Sequence, residues 1–173
     1  MPLHIVLIGS ECTGKTTLAA KLAEHFKVEF VPEYLRSYFE QKNGNLTVDD
    51  AIPIAEGQIQ LETEAENKSY NPIICDTDII SSIVYTKHYF KKLPVWFEKQ
   101  IQERADRTYL LCDIDVTWVG DGQRDMPEGR EYMQNLFISE LEDRNLNYHF
   151  ITGPVEKRLH DAIALINIAL HDD

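Results

Sequence analysis

The segment Gly9-Ser10-Glu11-Cys12-Thr13-Gly14-Lys15-Thr16 satisfies G-x-x-x-x-G-K-[ST] at every fixed position. An apolar run, His4 to Ile8, precedes it, and Leu18, Leu22 and Phe26 recur at helical spacing after it. A strand that enters a helix through such a turn gathers backbone N–H groups and the positive end of the helix around one point, which suits a polyphosphate. The pattern predicts Lys15 across the β and γ phosphates of ATP or GTP and the Thr16 hydroxyl on Mg2+, with Gly9, Glu11, Cys12, Thr13, Gly14 and Thr17 completing the cradle. A glycine turn that merely starts a core helix is the alternative use of these residues.

The rest of the chain must build a core around that turn. Its 173 residues suffice for one domain over 1–173, since chains of this length bury roughly 70% of their unfolded surface. Lys and Arg number 17 against 29 Asp and Glu, a net charge of −12. That balance lacks the basic footprint of a nucleic-acid binder, so no nucleic acid is expected. Apolar stretches such as Ala162 to Leu170 fall well short of the roughly 20 residues that span a bilayer, so no membrane partner is expected. The start Met1-Pro2-Leu3-His4 has no secretory-signal pattern, and a cytoplasmic location follows as an expectation. Cys12, Cys75 and Cys112 are widely spaced and form no C-x-x-C pair, which argues against a zinc site or a disulfide framework.

His4 to Ile8, Val28 to Val31, Pro72 to Cys75, Thr108 to Cys112 and Tyr148 to Ile151 are short apolar runs without alternation, the signature of strands buried on both faces. Helical repeats lie between them: Met133, Phe137 and Leu141, then Val155, Leu159 and Ile163. A further helix starts at Thr47, with Asp50 completing a capping box, and runs toward Lys68. Strands alternating with helices predict an α/β fold, a three-layer α/β/α sandwich on a five-stranded parallel sheet. Ligands of such sheets sit beyond the carboxyl ends of the strands.

Two strand ends carry acids there. Asp76, after Pro72 to Cys75, suits a magnesium-shell carboxylate; capping the helix near Ile79 is an equal use for Asp78 and a lesser one for Asp76. Glu33, after Val31-Pro32, can accept the proton of a substrate hydroxyl, or can instead pair with Arg36. The stretch of about 115–130 reads as a lid whose Arg124 and Arg130 reach the transferring phosphoryl, unless they neutralise the acids around them. Gly153, before Pro154, marks a rim on which a nucleotide base could rest.

Taken together, Gly9 to Thr17, Glu33-Tyr34-x-Arg36, Ala55-x-Gly57-Gln58, Asp76-Thr77-Asp78 and Trp118-Val119-x-Asp121-Gly122-x-Arg124 resemble the nicotinamide-riboside kinase domain of NadR-type proteins. These are P-loop NTPases related to deoxynucleoside and thymidylate kinases. The resemblance implies a sheet order of 2-3-1-4-5, a small-molecule nucleoside partner, and ATP-dependent phosphorylation of the 5′-hydroxyl of nicotinamide riboside. It assigns catalytic roles to Lys15, Glu33, Asp76 and Arg124, and a substrate pocket to Glu33, Tyr34, Arg36, Gln58 and Asp78. The helix-turn-helix and adenylyltransferase domains of fuller NadR-type proteins find no counterpart in these residues. Tyr34, Tyr38 and Trp96 are candidates to face a pyridinium cation, or else plain packing. A deoxynucleoside or nucleoside-monophosphate kinase is the nearest alternative, and a P-loop regulatory ATPase switch is one of a different kind.

Overall fold

The computed structural model describes residues 1–116 and 129–171. Most of the expected lid, with Arg124, Trp118 and Asp121, lies outside the described residues. In chain order the elements are β1 (His4–Ile8), α1 (Lys15–Phe26), α2 (Tyr34–Gln41), a 3-10 turn (Val48–Asp50), α3 (Ala51–Asn67), β2 (Ile73–Asp76), α4 (Ile79–Phe90), α5 (Trp96–Gln102), β3 (Thr108–Cys112), α6 (Gly129–Asp143), β4 (Asn147–Ile151) and α7 (Val155–His171).

All strand pairs are parallel, in the order β2-β1-β3-β4. Successive side chains of a strand point to opposite faces, so each central strand feeds two cores. Val6, Ile8, Cys75, Tyr109 and Leu111 pack with α3, α4, α5 and α6 on one face. Ile5, Leu7, Ile74, Leu110 and Cys112 pack with α1 and α7 on the other. That two-sided burial explains the uninterrupted apolar runs and produces the expected three-layer α/β fold.

The sheet differs from expectation at one edge, where four strands form among the described residues rather than five. Val31 alone bridges Cys75, donating its N–H to Ile74 O at 2.7 Å and accepting from Asp76 N at 2.8 Å. The segment occupies the place expected of a second strand, outside β2, but is cut short on both sides. Lys27 ends α1 in the left-handed conformation and the Val28 N–H is spent on Ala23 O. Pro32 has no N–H to offer a ladder.

The Thr47–Asp50 capping box forms as the sequence predicts. The Asp50 carboxylate accepts from the Thr47 N–H at 2.8 Å and from its hydroxyl at 3.0 Å. The following helix runs to Asn67, after one 3-10 turn. In contrast α2 contains no buried residue, and it rests on the surface of α3. No helix among the described residues is long and apolar enough to cross a membrane, and Cys12, Cys75 and Cys112 form no disulfide.

Candidate functional site

A cleft of about 750 Å3 opens at the carboxyl ends of β1 and β2. Its floor is the turn from Glu11 to Thr17, and Glu33 and Asp76 reach it from neighbouring segments. Two glycines are required in that turn. At Gly9, φ is +131° and a Cβ would lie 2.7 Å from Cys112 O; at Gly14, φ is +81° where the turn enters α1.

Lys15 extends along the turn, donating to Gly9 O at 3.0 Å and Ser10 O at 2.7 Å, while the Thr13 hydroxyl donates to Ser10 O at 2.8 Å. These bonds hold the ammonium over the loop that the motif assigns to phosphates. Thr16, the next residue, also lines the cleft. Asp76 ends β2 only 4% exposed, its backbone fixed by the bridge to Val31. Thr16 and Asp76 thus stand on one cleft as a hydroxyl and a carboxylate, a hard oxygen pair that fits Mg2+ carried on a polyphosphate. Among the described residues no cluster of three or more His, Cys, Asp or Glu could hold a metal by itself.

Glu33 caps the approach to α2 from the same cleft, with 21% of its side chain exposed. Burial pushes its carboxyl above the usual range near 4.5; Lys15 and Arg36 pull it down, and the charges of Asp76 and Glu11 oppose them. Its Oε2 lies 3.8 Å from Arg36 Nη2, so the expected ion pair exists without removing either residue from the cleft. The lining also carries apolar and aromatic side chains, among them Phe39, Leu46, Ile54, Tyr85 and Phe90.

Several other sequence candidates stand elsewhere. Asp78 is 1% exposed and serves as the cap of α4, accepting from Ile80 N at 2.9 Å. Its other oxygen accepts from Arg107 at 3.1 Å and the Tyr109 hydroxyl at 2.8 Å. It belongs to a buried ion network with Glu62, which accepts from Arg107 at 2.6 Å, and it does not line the cleft. Gln58 is 3% exposed and works from behind, accepting from Tyr34 N at 2.8 Å and donating to Thr77 O at 3.5 Å. The Tyr34 ring lies against Gly57, not in the cleft lining.

The other two aromatic candidates are also placed outside the lining. Tyr38 donates to Asp50 at 2.8 Å, and its ring already faces Lys42 Nζ at 5.6 Å. Trp96 packs edge-on against Phe97 with ring centroids 5.2 Å apart. Arg130 braces the loop leaving β3 through the carbonyls of Ile114 and Val116 and is 8% exposed. At Gly153 both backbone groups are engaged, the N–H by Asp115 at 2.5 Å and the carbonyl by Arg158 at 2.7 Å.

Two supports escaped sequence reasoning. Gln134 of α6 accepts from Ser10 N at 2.8 Å and donates to Cys112 O at 3.0 Å, tying the turn to the end of β3. Arg158 of α7 donates to Thr13 O at 2.7 Å from 145 residues away. Both look in sequence like solvent-facing helix residues, and no local signal marks a partner so distant.

A glycine turn between strand and helix, its lysine along the loop, a hydroxyl and strand-end acid beside it, and a parallel sheet behind define a P-loop nucleotide-binding α/β domain. Residues 4–158 match the family described as an AAA domain, and the chain belongs to that family. It is 29% identical over 150 residues to the trifunctional NAD biosynthesis/regulator protein NadR of Escherichia coli (strain K12). It is 28% identical over 150 residues to the same protein of Salmonella typhimurium. Those matches cover 83% of this chain and 37% of each relative's length.

A crystal structure of a NadR protein in complex with NR superimposes with a TM-score of 0.82 at 28% identity, over 94% of this chain and 50% of that one. A second, with NAD and AMP-PNP, gives 0.79 at 26%, over 94% and 48%. Thymidylate kinase from Candida albicans gives 0.70 at 14%, over 99% and 94%, a likeness of fold alone.

Proposed function

We propose that this chain is an ATP-dependent kinase that transfers the γ-phosphoryl group to the 5′-hydroxyl of nicotinamide riboside, giving nicotinamide mononucleotide for NAD salvage. The observation that carries the reading is the convergence of Lys15, Thr16, Asp76 and Glu33 on one cleft whose lining is otherwise rich in apolar and aromatic side chains. A donor cradle, a carboxylate with raised affinity for protons, and a wall for a flat ring are what phosphoryl transfer to a nucleoside needs. Beside Lys15, Arg36 is the one cationic side chain among the described residues of the lining, which suits an uncharged or cationic acceptor better than a monophosphate. The sequence likeness to NadR proteins, one solved with NR and another with AMP-PNP, supports the same donor and acceptor.

In this reading the turn from Gly9 to Thr17 wraps the donor's phosphates and Lys15 offsets charge that builds on the transferred group. Glu33 orients the acceptor hydroxyl and takes its proton as the new P–O bond forms. Because the transition state is loose, orientation contributes more than basicity. Thr16 and Asp76 would hold Mg2+, which when bound neutralises phosphate charge. The apolar lining excludes water that would otherwise compete as acceptor.

Purified protein, Mg·ATP and a panel of nucleosides and nucleoside monophosphates, with products identified by mass, tests the reading. Phosphate gain on nicotinamide riboside is the expected result. Gain only on a monophosphate would reassign the acceptor, and ADP release that ignores every acceptor would make the protein a regulatory ATPase instead.

A further inference from the structure

Arg158 is 1% exposed, yet its guanidinium serves four points of the fold. Nη1 donates to Thr13 O at 2.7 Å, Nε to Gly153 O at 2.7 Å and Nη2 to Asp113 O at 3.0 Å. Nη2 also pairs with the Asp115 carboxylate, whose other oxygen accepts the Gly153 N–H. Space filling alone does not explain it, because a methionine would fill the same room without a buried charge. Its counter-ion is lopsided as well: the Asp115 side chain is 34% exposed and the Arg158 side chain 2%. The anion is partly screened by water while the cation is enclosed beside the phosphate turn, where screening is weak.

The contact with Thr13 O has a chemical consequence. The one cis peptide bond among the described residues is Asn71-Pro72, so the Thr13–Gly14 peptide is trans and planar. A carbonyl turned toward Arg158 sends the Gly14 N–H the opposite way, and Thr13 and Gly14 both line the cleft. A cation on a carbonyl oxygen polarises its peptide and strengthens the N–H at the other end as a donor.

We propose that Arg158 is a positioning residue for the donor phosphates: it fixes the Thr13–Gly14 peptide and sharpens the Gly14 N–H as a hydrogen-bond donor to a polyphosphate anion. This rests on the reading of the cradle as a nucleotide site. Arg158 touches no reacting atom and acts through the backbone of the turn.

The test titrates wild type, Arg158→Met, Arg158→Lys and Lys15→Ala with inorganic tripolyphosphate by calorimetry, and follows the Gly14 amide by NMR. Arg158→Met is expected to weaken tripolyphosphate about tenfold, the scale of a lost charge-assisted hydrogen bond, and to move the Gly14 amide proton upfield. The KM for ATP should rise with it while that for the acceptor stays put. Arg158→Lys keeps the charge but not the fork; it should fall between, and it carries the test if the methionine variant does not fold.

Wild-type affinity and an unmoved Gly14 signal in a folded variant, even one with a lower Tm, would make Arg158 a strut and overturn the proposal while leaving the nucleotide reading intact. Failure of wild type itself to bind tripolyphosphate or ATP would overturn both.

Discussion

Gly57→Ala puts the Glu33 side of the cleft under a calculable load. A Cβ at Gly57 would lie 2.1 Å from one Tyr34 ring carbon and 2.4 Å from two more, where ordinary contact begins at 3.4 Å. The ring must therefore retreat by about 1 Å or more. Tyr34 opens α2, its N–H is bound to Gln58, and Glu33 is the residue immediately before it.

Two effects compete in the stability. Alanine in a helix interior gains about 1 kcal/mol over glycine, while overpacking costs about 1–3 kcal/mol. Since no residue of α2 is buried, that helix can yield, and the net loss should be near 1 kcal/mol, or about 2–4 °C in Tm for a chain of this size. Geometry takes the larger share: a shift of about 1 Å at Glu33 should lower kcat about 100-fold.

The assay is coupled ADP release with nicotinamide riboside, beside a thermal scan. Replacing Tyr34 by Ala in the Gly57→Ala background should restore part of kcat, as a double-mutant cycle on a contacting pair requires. A Gly57→Ala protein that keeps its kcat within about twofold would refute the reasoning, because it would mean that Glu33 does not depend on this packing.

Lys15→Ala should abolish transfer while Tm stays within about 1 °C, since the ammonium bonds only to its own turn; paired kinetics and circular dichroism check both halves. Glu33→Gln should lower kcat by about 100-fold or more, and the acid limb of the wild-type profile should lie above the usual 4.5, because burial raises this carboxyl. The linkage runs the same way: stability from the protonated form is present below 4.5 and lost as pH rises through the raised value, so Glu33→Gln should melt higher than wild type at neutral pH and lose that advantage below 4.5. Asp50→Asn should raise the acceptor KM about tenfold and leave the ATP KM unchanged, because its carboxylate gathers Tyr38, Lys42 and Thr47 around the Gly44–Thr47 edge of the cleft.

Local signals were the readable ones. The phosphate turn occupies eight consecutive residues, and the Thr47–Asp50 box four, so their geometry follows from chain neighbours alone. That Asp76 and Glu33 line the cleft was legible, because Asp76 ends β2 and Glu33 follows the Val31 bridge on the same rim. Long-range pairings were not. Asp78 looks like its neighbour Asp76 until Arg107 and Tyr109 arrive from 29 and 31 residues away to claim it. The Val28 to Val31 run has strand composition, but the end of α1 takes the Val28 N–H and Pro32 has no N–H to extend the ladder. Aromatic identity was equally silent about direction: Tyr38 turns to Asp50, whereas Phe39, the next residue, lines the cleft.

The absence of buried residues on α2 separates two kinds of selection on this chain. Substitutions that displace the backbone of the phosphate turn at Ser10 or Thr13 disturb its ties to α6 and α7, so drift there endangers folding together with the proposed nucleotide binding. On α2, under the proposed function, a change alters the outline offered to an acceptor and leaves the hydrophobic interior untouched. If the protein is the kinase proposed above, new acceptor preferences can therefore arise on that helix by ordinary point mutation, with the phosphate turn inherited unchanged.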